Sequence, residues 1–94
     1  MAKRLIVARS AYLHLDRIIE FNDKRNQSTT YSQRMVKSLF KQFHLLEKQP
    51  FKGKPTGFDN SYLLIWDKFY IFYLVKDDII EVNAIYHQKE NSDF

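Results

Sequence analysis

The sequence predicts an α+β fold: an N-terminal strand, an antiparallel helix hairpin, and a twisted antiparallel sheet against which the hairpin packs, in the order β-α-α-β-β-β. Three observations predict it. Apolar residues recur at helical spacing in two blocks of the first half. Both prolines and both glycines fall together at Pro50, Gly53, Pro55 and Gly57. Beyond them lie three apolar-rich runs separated by short acidic turns. With 94 residues, the chain is read as one domain spanning 1–94.

Lys3 to Val7 has strand character. Ser10 is placed to cap a first helix whose stripe is Tyr12, Leu15, Ile18, Ile19 and Asn22, and which should stop near Asp23, where DKRNQST offers nothing apolar. Thr30 with Gln33 three residues later fits a capping box for a second helix. Its stripe runs Met35, Val36, Leu39, Phe43, Leu46, ending near Lys48. So short a polar link makes the two helices an antiparallel pair. QPFKGKPTGFDN is then a loop from helices to sheet; its glycines lie between a helix and a strand, the wrong order for a phosphate cradle.

The three strands are Ser61–Trp66, Phe69–Val75 and Ile79–Tyr86, with tight turns at Asp67–Lys68 and Asp77–Asp78. Two-residue turns pair Trp66 with Phe69, Leu64 with Ile71 and Tyr62 with Tyr73. They also pair Val75 with Ile80, Tyr73 with Val82 and Ile71 with Ala84. One face is then wholly apolar, from Leu64 and Trp66 through Phe69, Ile71, Tyr73, Val75, Ile80 and Val82 to Ala84 and Tyr86. It must cover the helix hairpin. A three-residue second turn would instead bring Glu81 and Asn83 onto that face. The opposite face carries Leu63, Ile65, Tyr70, Phe72, Leu74 and Ile85 beside Glu81, Asn83 and His87. So much apolar surface with no helix left to cover it points to a partner, either another protein or a second copy of the chain.

Cysteine is absent, which excludes disulfides and thiolate metal sites and fits a cytoplasmic protein. No apolar run reaches the ~18 residues of a membrane span, and no secretory leader is evident. The net charge of +4 divides into +8 over residues 1–58 and −4 over residues 59–94. A basic half of this kind suits an acidic partner or a solvated helix pair. His14, His44 and His87 have no metal-ligand spacing, so neither a metal nor another cofactor is expected.

Three stretches, taken in order, resemble the RelE/ParE superfamily of toxins from bacterial type II toxin–antitoxin pairs: ARSAYLHLDRIIEF, LLEKQPFKGKP and FYIFYLVKDDIIEVNAIYHQKEN. The resemblance spans nearly the whole chain. It implies a cognate antitoxin as partner and one of two targets. ParE-like members poison DNA gyrase; RelE-like members cut mRNA on the ribosome with a basic cluster on and around the sheet. This chain has Tyr70 where the RelE-like pattern carries an Arg, and no cation in 61–66. His87, Lys89, Lys52 and Lys54 are the residues left for a ribonuclease: His87 for proton transfer, the lysines for charge stabilisation. The two helices also look long, as in ParE-like members. The resemblance therefore favours a gyrase poison, with the ribonuclease and a non-toxic interaction module of the same fold as alternatives.

Overall fold

The computed structural model describes residues 3–88. Its elements are β1 (Arg4–Val7), α1 (Arg9–Asn26), α2 (Thr30–Lys48), β2 (Lys54–Pro55), β3 (Ser61–Trp66), β4 (Phe69–Val75) and β5 (Ile79–His87). The strands form one sheet in the order β1-β5-β4-β3-β2. β1 runs parallel to β5 and the other neighbours are antiparallel, so the sheet is mixed rather than antiparallel throughout. The parallel pair joins the two ends of the chain, with both helices inside the long crossover. The proline-glycine loop also supplies the short edge strand β2.

Both helix starts differ from expectation. Ser10 does not cap α1; its hydroxyl donates to the Asn83 carbonyl at 2.6 Å, and the cap position is Ala8. At α2 the cap position is Thr29, whose side chain caps no backbone N–H; the Gln33 amide donates to its hydroxyl at 3.2 Å, so the expected capping box does not form. α1 also runs past Asp23 to Asn26. Lys24 pairs with Glu20 at 3.0 Å, and Lys24 and Arg25 in the last turn suit the negative end of the helix dipole. The helix stops where Gln27 turns left-handed at φ 51°, with the Gln27 and Ser28 N–H groups donating to the Asp23 carbonyl. α2 ends just before Pro50, whose ring disfavours helical geometry in the residue preceding it.

α1 buries Ala11, Leu15, Ile18 and Asn22, and α2 buries Ser32, Met35, Leu39, Phe43 and Leu46. Tyr12 is 47% exposed, because the small Ala11, not Tyr12, takes the position against the sheet. From the sheet, Leu64, Phe69, Ile71, Tyr73, Val75, Ile80 and Val82 complete the core, and Trp66 packs half-buried at its margin.

The β3–β4 pairing is the one expected, Trp66 with Phe69 through Tyr62 with Tyr73. The β4–β5 pairing agrees only as far as Tyr73 with Val82. Asn83 is then an extra residue, and Ala84 lies opposite Phe72 instead of Ile71. This bulge inverts the strand's alternation. Ile85 (0% exposed) and His87 (8%) turn to the helix side, while Ala84 and Tyr86 turn to the other. Ile85 was expected on the open face and is a core residue. α1 holds the bulged strand: besides the Ser10 bond, Ala8 N–H donates to the Val82 carbonyl and Ile85 N–H to His14 Nδ1 at 3.2 Å. β1 ends opposite Val82, so these groups of α1 serve the edge of β5 that no strand pairs.

Tyr73 ties the loop to the sheet. Its hydroxyl donates to the Pro50 carbonyl and accepts from Gly53 N–H, each at 2.9 Å. A Cβ on Gly53 would stand 2.7 Å from the Leu63 carbonyl oxygen and 2.8 Å from the Tyr73 hydroxyl, which is why this position is glycine. Burial pushes the Tyr73 phenol above its ordinary pKa. The folded state therefore holds that proton more tightly than the unfolded chain. Its contribution is complete below the ordinary tyrosine range and is lost as pH rises through the raised value. Tyr73→Phe should lower stability by ~1–3 kcal/mol in urea denaturation and remove part of the alkaline sensitivity. An unchanged midpoint would show that the two hydrogen bonds contribute nothing net.

Candidate functional site

The helices cover one face of the sheet, and the pairing defines the other. Lys54, Leu63, Phe72 and Ala84 form one cross-strand row. Ile65, Tyr70 and Tyr86 form a second, and Ser61, Leu74, Glu81 and Ile6 a third. Ile65 is 55% exposed, whereas Leu63, Tyr70, Phe72 and Leu74 are half-buried against one another. Phe72 meets Tyr86 edge-on at 6.0 Å. The middle of the face is apolar and aromatic. Its charges lie away from that centre, in Lys54 on β2, in Arg4 on β1, and in Glu81, which sits between Leu74 and Ile6 and pairs with Lys76 at 3.3 Å. Five of the six residues read as partner-binding, Leu63, Ile65, Tyr70, Phe72 and Leu74, come together here; Ile85 does not. Tyr86 joins them in its place.

The two edges of the sheet differ: β1 is engaged by α2, whereas the two-residue β2 covers only Tyr62 and Leu63 of β3. On β1, Lys3 N–H donates to the Glu47 carbonyl at 3.0 Å and Leu5 N–H to the Glu47 carboxylate at 3.3 Å. His44 hydrogen-bonds that carboxylate at 2.9 Å and holds it below the usual glutamate range. β2 is short and carries Pro55, which lacks an N–H to offer a further strand.

The residues read as catalytic are not gathered in one place. His87 is buried on the helix side, edge-on to Phe69 at 5.1 Å. Lys54 lies on the open face, three strands away in the sheet order, about 14 Å at the usual ~4.8 Å strand spacing. Lys52 is exposed in the loop before it, and Lys89 lies outside the described residues. Among the described residues no three His, Asp or Glu side chains come together as metal ligands. No helix among them is long and apolar enough to cross a membrane.

His87 instead lines a cavity of about 210 Å³ with Asn22, Arg25, Asn26, Tyr31 and Lys68. The sequence reading named none of the other five as site residues. They come from three separate parts of the chain, with only Asn22, Arg25 and Asn26 linked by helical spacing, and His87 joins them only because of the bulge.

The model of the ParE toxin of type II toxin–antitoxin systems matches residues 5–92, nearly the full chain. The chain belongs to this ParE toxin family. The fold agrees with two solved complexes. A chain of the chromosomal ParDE toxin–antitoxin system from P. aeruginosa superposes with a TM-score of 0.76 at 19% identity, covering 92% of this chain and 96% of its own. A chain of the RelBE2 toxin–antitoxin complex from Mycobacterium tuberculosis superposes with a TM-score of 0.65 at 13% identity, covering 93% of this chain and 99% of its own. No curated protein sequence matches. The ParE-type chain is thus a toxin of the two-layer type, with its helix pair on one face of the sheet and the other face open.

The phase change in β5 is directly testable. Ile85→Ala should cost ~2–5 kcal/mol, as for a fully buried aliphatic side chain. Tyr86→Ala, on the open face, should cost less than half as much by the same denaturation measurement. Equal costs, or a larger one at Tyr86, would place Tyr86 in the core.

Proposed function

We propose that this toxin is neutralised by an antitoxin segment lying across the open sheet face, on Leu63, Ile65, Tyr70, Phe72 and Leu74, and that it acts on DNA gyrase. The cation-free, apolar centre of that face is the observation that carries the reading. An apolar segment of a partner suits it, and burying such aromatic anchors is what gives an interface most of its affinity. The partner crosses the face instead of extending β1, whose edge Glu47 engages, or β2, where Pro55 lacks an N–H.

Ribonuclease chemistry needs a proton carrier and cations around one phosphate. Here His87 and Lys54 are on opposite faces of the sheet, and Tyr70 stands in the middle of the open face. That separation supports the gyrase reading over ribosome-dependent mRNA cleavage.

Two measurements test the proposal. Tyr70→Asp combined with Leu74→Asp should weaken antitoxin binding at least ~100-fold, the scale of losing interface anchors, while leaving the circular dichroism spectrum unchanged. Undiminished affinity would reject this face as the antitoxin site, and self-association lost in the same variant would assign it to a second copy of the chain. For the target, expression of the toxin should alter DNA supercoiling, and His87→Ala should leave toxicity reduced but measurable. Codon-specific mRNA cleavage on ribosomes that falls ~10²–10⁴-fold in His87→Ala would establish the enzyme instead.

A further inference from the structure

We propose that the outward face of α2 docks on the phosphate backbone of double-stranded DNA, through Arg34, Lys37, Lys41 and Lys48. The inference goes beyond the antitoxin and target readings and rests on neither. It starts from spacing. Arg34, Lys37, Lys41, His44 and Lys48 follow one another at three or four residues along the helix. At 3.6 residues per turn they fall within about 80° of arc, and at ~1.5 Å per residue the stripe runs about 21 Å. The buried residues Ser32, Met35, Leu39, Phe43 and Leu46 occupy the opposite side of the same helix. All five basic residues are therefore turned away from the sheet, and all five are exposed.

The stripe is of one sign. Only Thr30 shares its arc, so it contains no carboxylate and no apolar side chain. The single acid of α2, Glu47, lies off the arc, where it accepts from Leu5 N–H at 3.3 Å and holds His44 at 2.9 Å. Lys37 shares the groove between the helices with Asp23, but no ion pair joins the two. Arg34 and Lys41 likewise have no acidic partner among the described residues. α1 is built differently: it sets Asp16, Glu20 and Asp23 among its basic residues and pairs Lys24 with Glu20 at 3.0 Å. A face that only meets water gains from such mixing, because like charges three or four residues apart weaken a helix. α2 keeps the repulsion along its whole length, and a polyanion laid on the stripe would relieve it.

The composition and shape of the stripe choose among polyanions. Lysine is depleted, and aromatic residues enriched, where proteins meet proteins; this stripe has three lysines and no apolar anchor. A phosphate backbone needs only evenly spaced cations, and about 21 Å passes about six phosphates of one DNA strand at ~3.4 Å each. B-form DNA offers a major groove ~12 Å wide, at whose mouth a helix can lie, whereas the major groove of duplex RNA is deep and narrow. The expected contact is with the backbone, so it carries no preference for sequence.

The test is fluorescence anisotropy of the full chain with a DNA duplex of about 20 base pairs, as sodium chloride is raised from about 50 to 200 mM. Four cations on phosphates predict a slope of about −3 to −4 in log affinity against log salt. Lys37→Gln with Lys41→Gln should make that slope shallower by about 2 and weaken binding at low salt at least ~tenfold. Glutamine keeps helix propensity, so this variant should unfold at the wild-type temperature. Arg25→Gln with Lys68→Gln removes the same charge away from the stripe and should leave the slope unchanged. Absence of DNA binding, or an equal loss of slope in both variants, would overturn the proposal. Equal or tighter binding of the matching RNA duplex would overturn the assignment to DNA. Loss of antitoxin binding with DNA binding intact in the α2 variant would overturn it in favour of an acidic protein partner.

Discussion

Two helices can bury only one face of a five-stranded sheet, so everything about this protein's surface depends on which side chains of β5 lie on that face. The single extra residue Asn83 decides it. Before the bulge, Ile80 and Val82 point to the helices; after it, Ile85 and His87 do. Without it the core would receive Ala84 and Tyr86, leaving Ile85 and His87 beside Phe72 and Tyr70. The bulge is fastened by Ser10 and His14, one helical turn apart on α1, which bond Asn83 and Ile85 where β1 has ended. A short first strand, a bulge and two polar residues on a helix flank are therefore one device.

That device separates two chemistries. The open face keeps aromatic and aliphatic side chains at its centre, which suits a protein segment. On the helix side, Arg25, Lys68 and His87 line a small polar cavity, away from that face. A ribonuclease would want the two kinds of group on one surface. Tyr73 adds to the division by pinning the loop through Pro50 and Gly53, so that Lys52 and Lys54 stay at the β2 edge, away from His87.

Much of this was legible in the sequence. The alternation from Ser61 to Val82, with Asp67–Lys68 and Asp77–Asp78 as turns, specified three strands and their register, because one face had to be continuously apolar. Both helix stripes were readable for the same reason. What escaped was set by contacts distant in sequence. The parallel pairing of β1 with β5 depends on how the helix crossover returns. The bulge has no local mark, since Asn83–Ala84–Ile85 reads equally well in either phase. Ser10 looked like a helix cap because it precedes an apolar stripe, yet the Asn83 carbonyl takes its hydroxyl. Of the cavity residues only Asn22, Arg25 and Asn26 share a helical spacing; Tyr31, Lys68 and His87 join them from elsewhere in the chain.

The absence of native cysteine makes the central point open to one clean measurement. Single cysteines placed in turn at positions 82, 84, 85, 86 and 87 can be timed for reaction with a thiol reagent under native conditions. Slow reaction at 82, 85 and 87 with fast reaction at 84 and 86 is the pattern the bulge requires. Slow reaction at 82, 84 and 86 with fast reaction at 85 and 87 would mean that β5 keeps its alternation, with His87 on the open face beside Tyr70 and the division between the two surfaces gone.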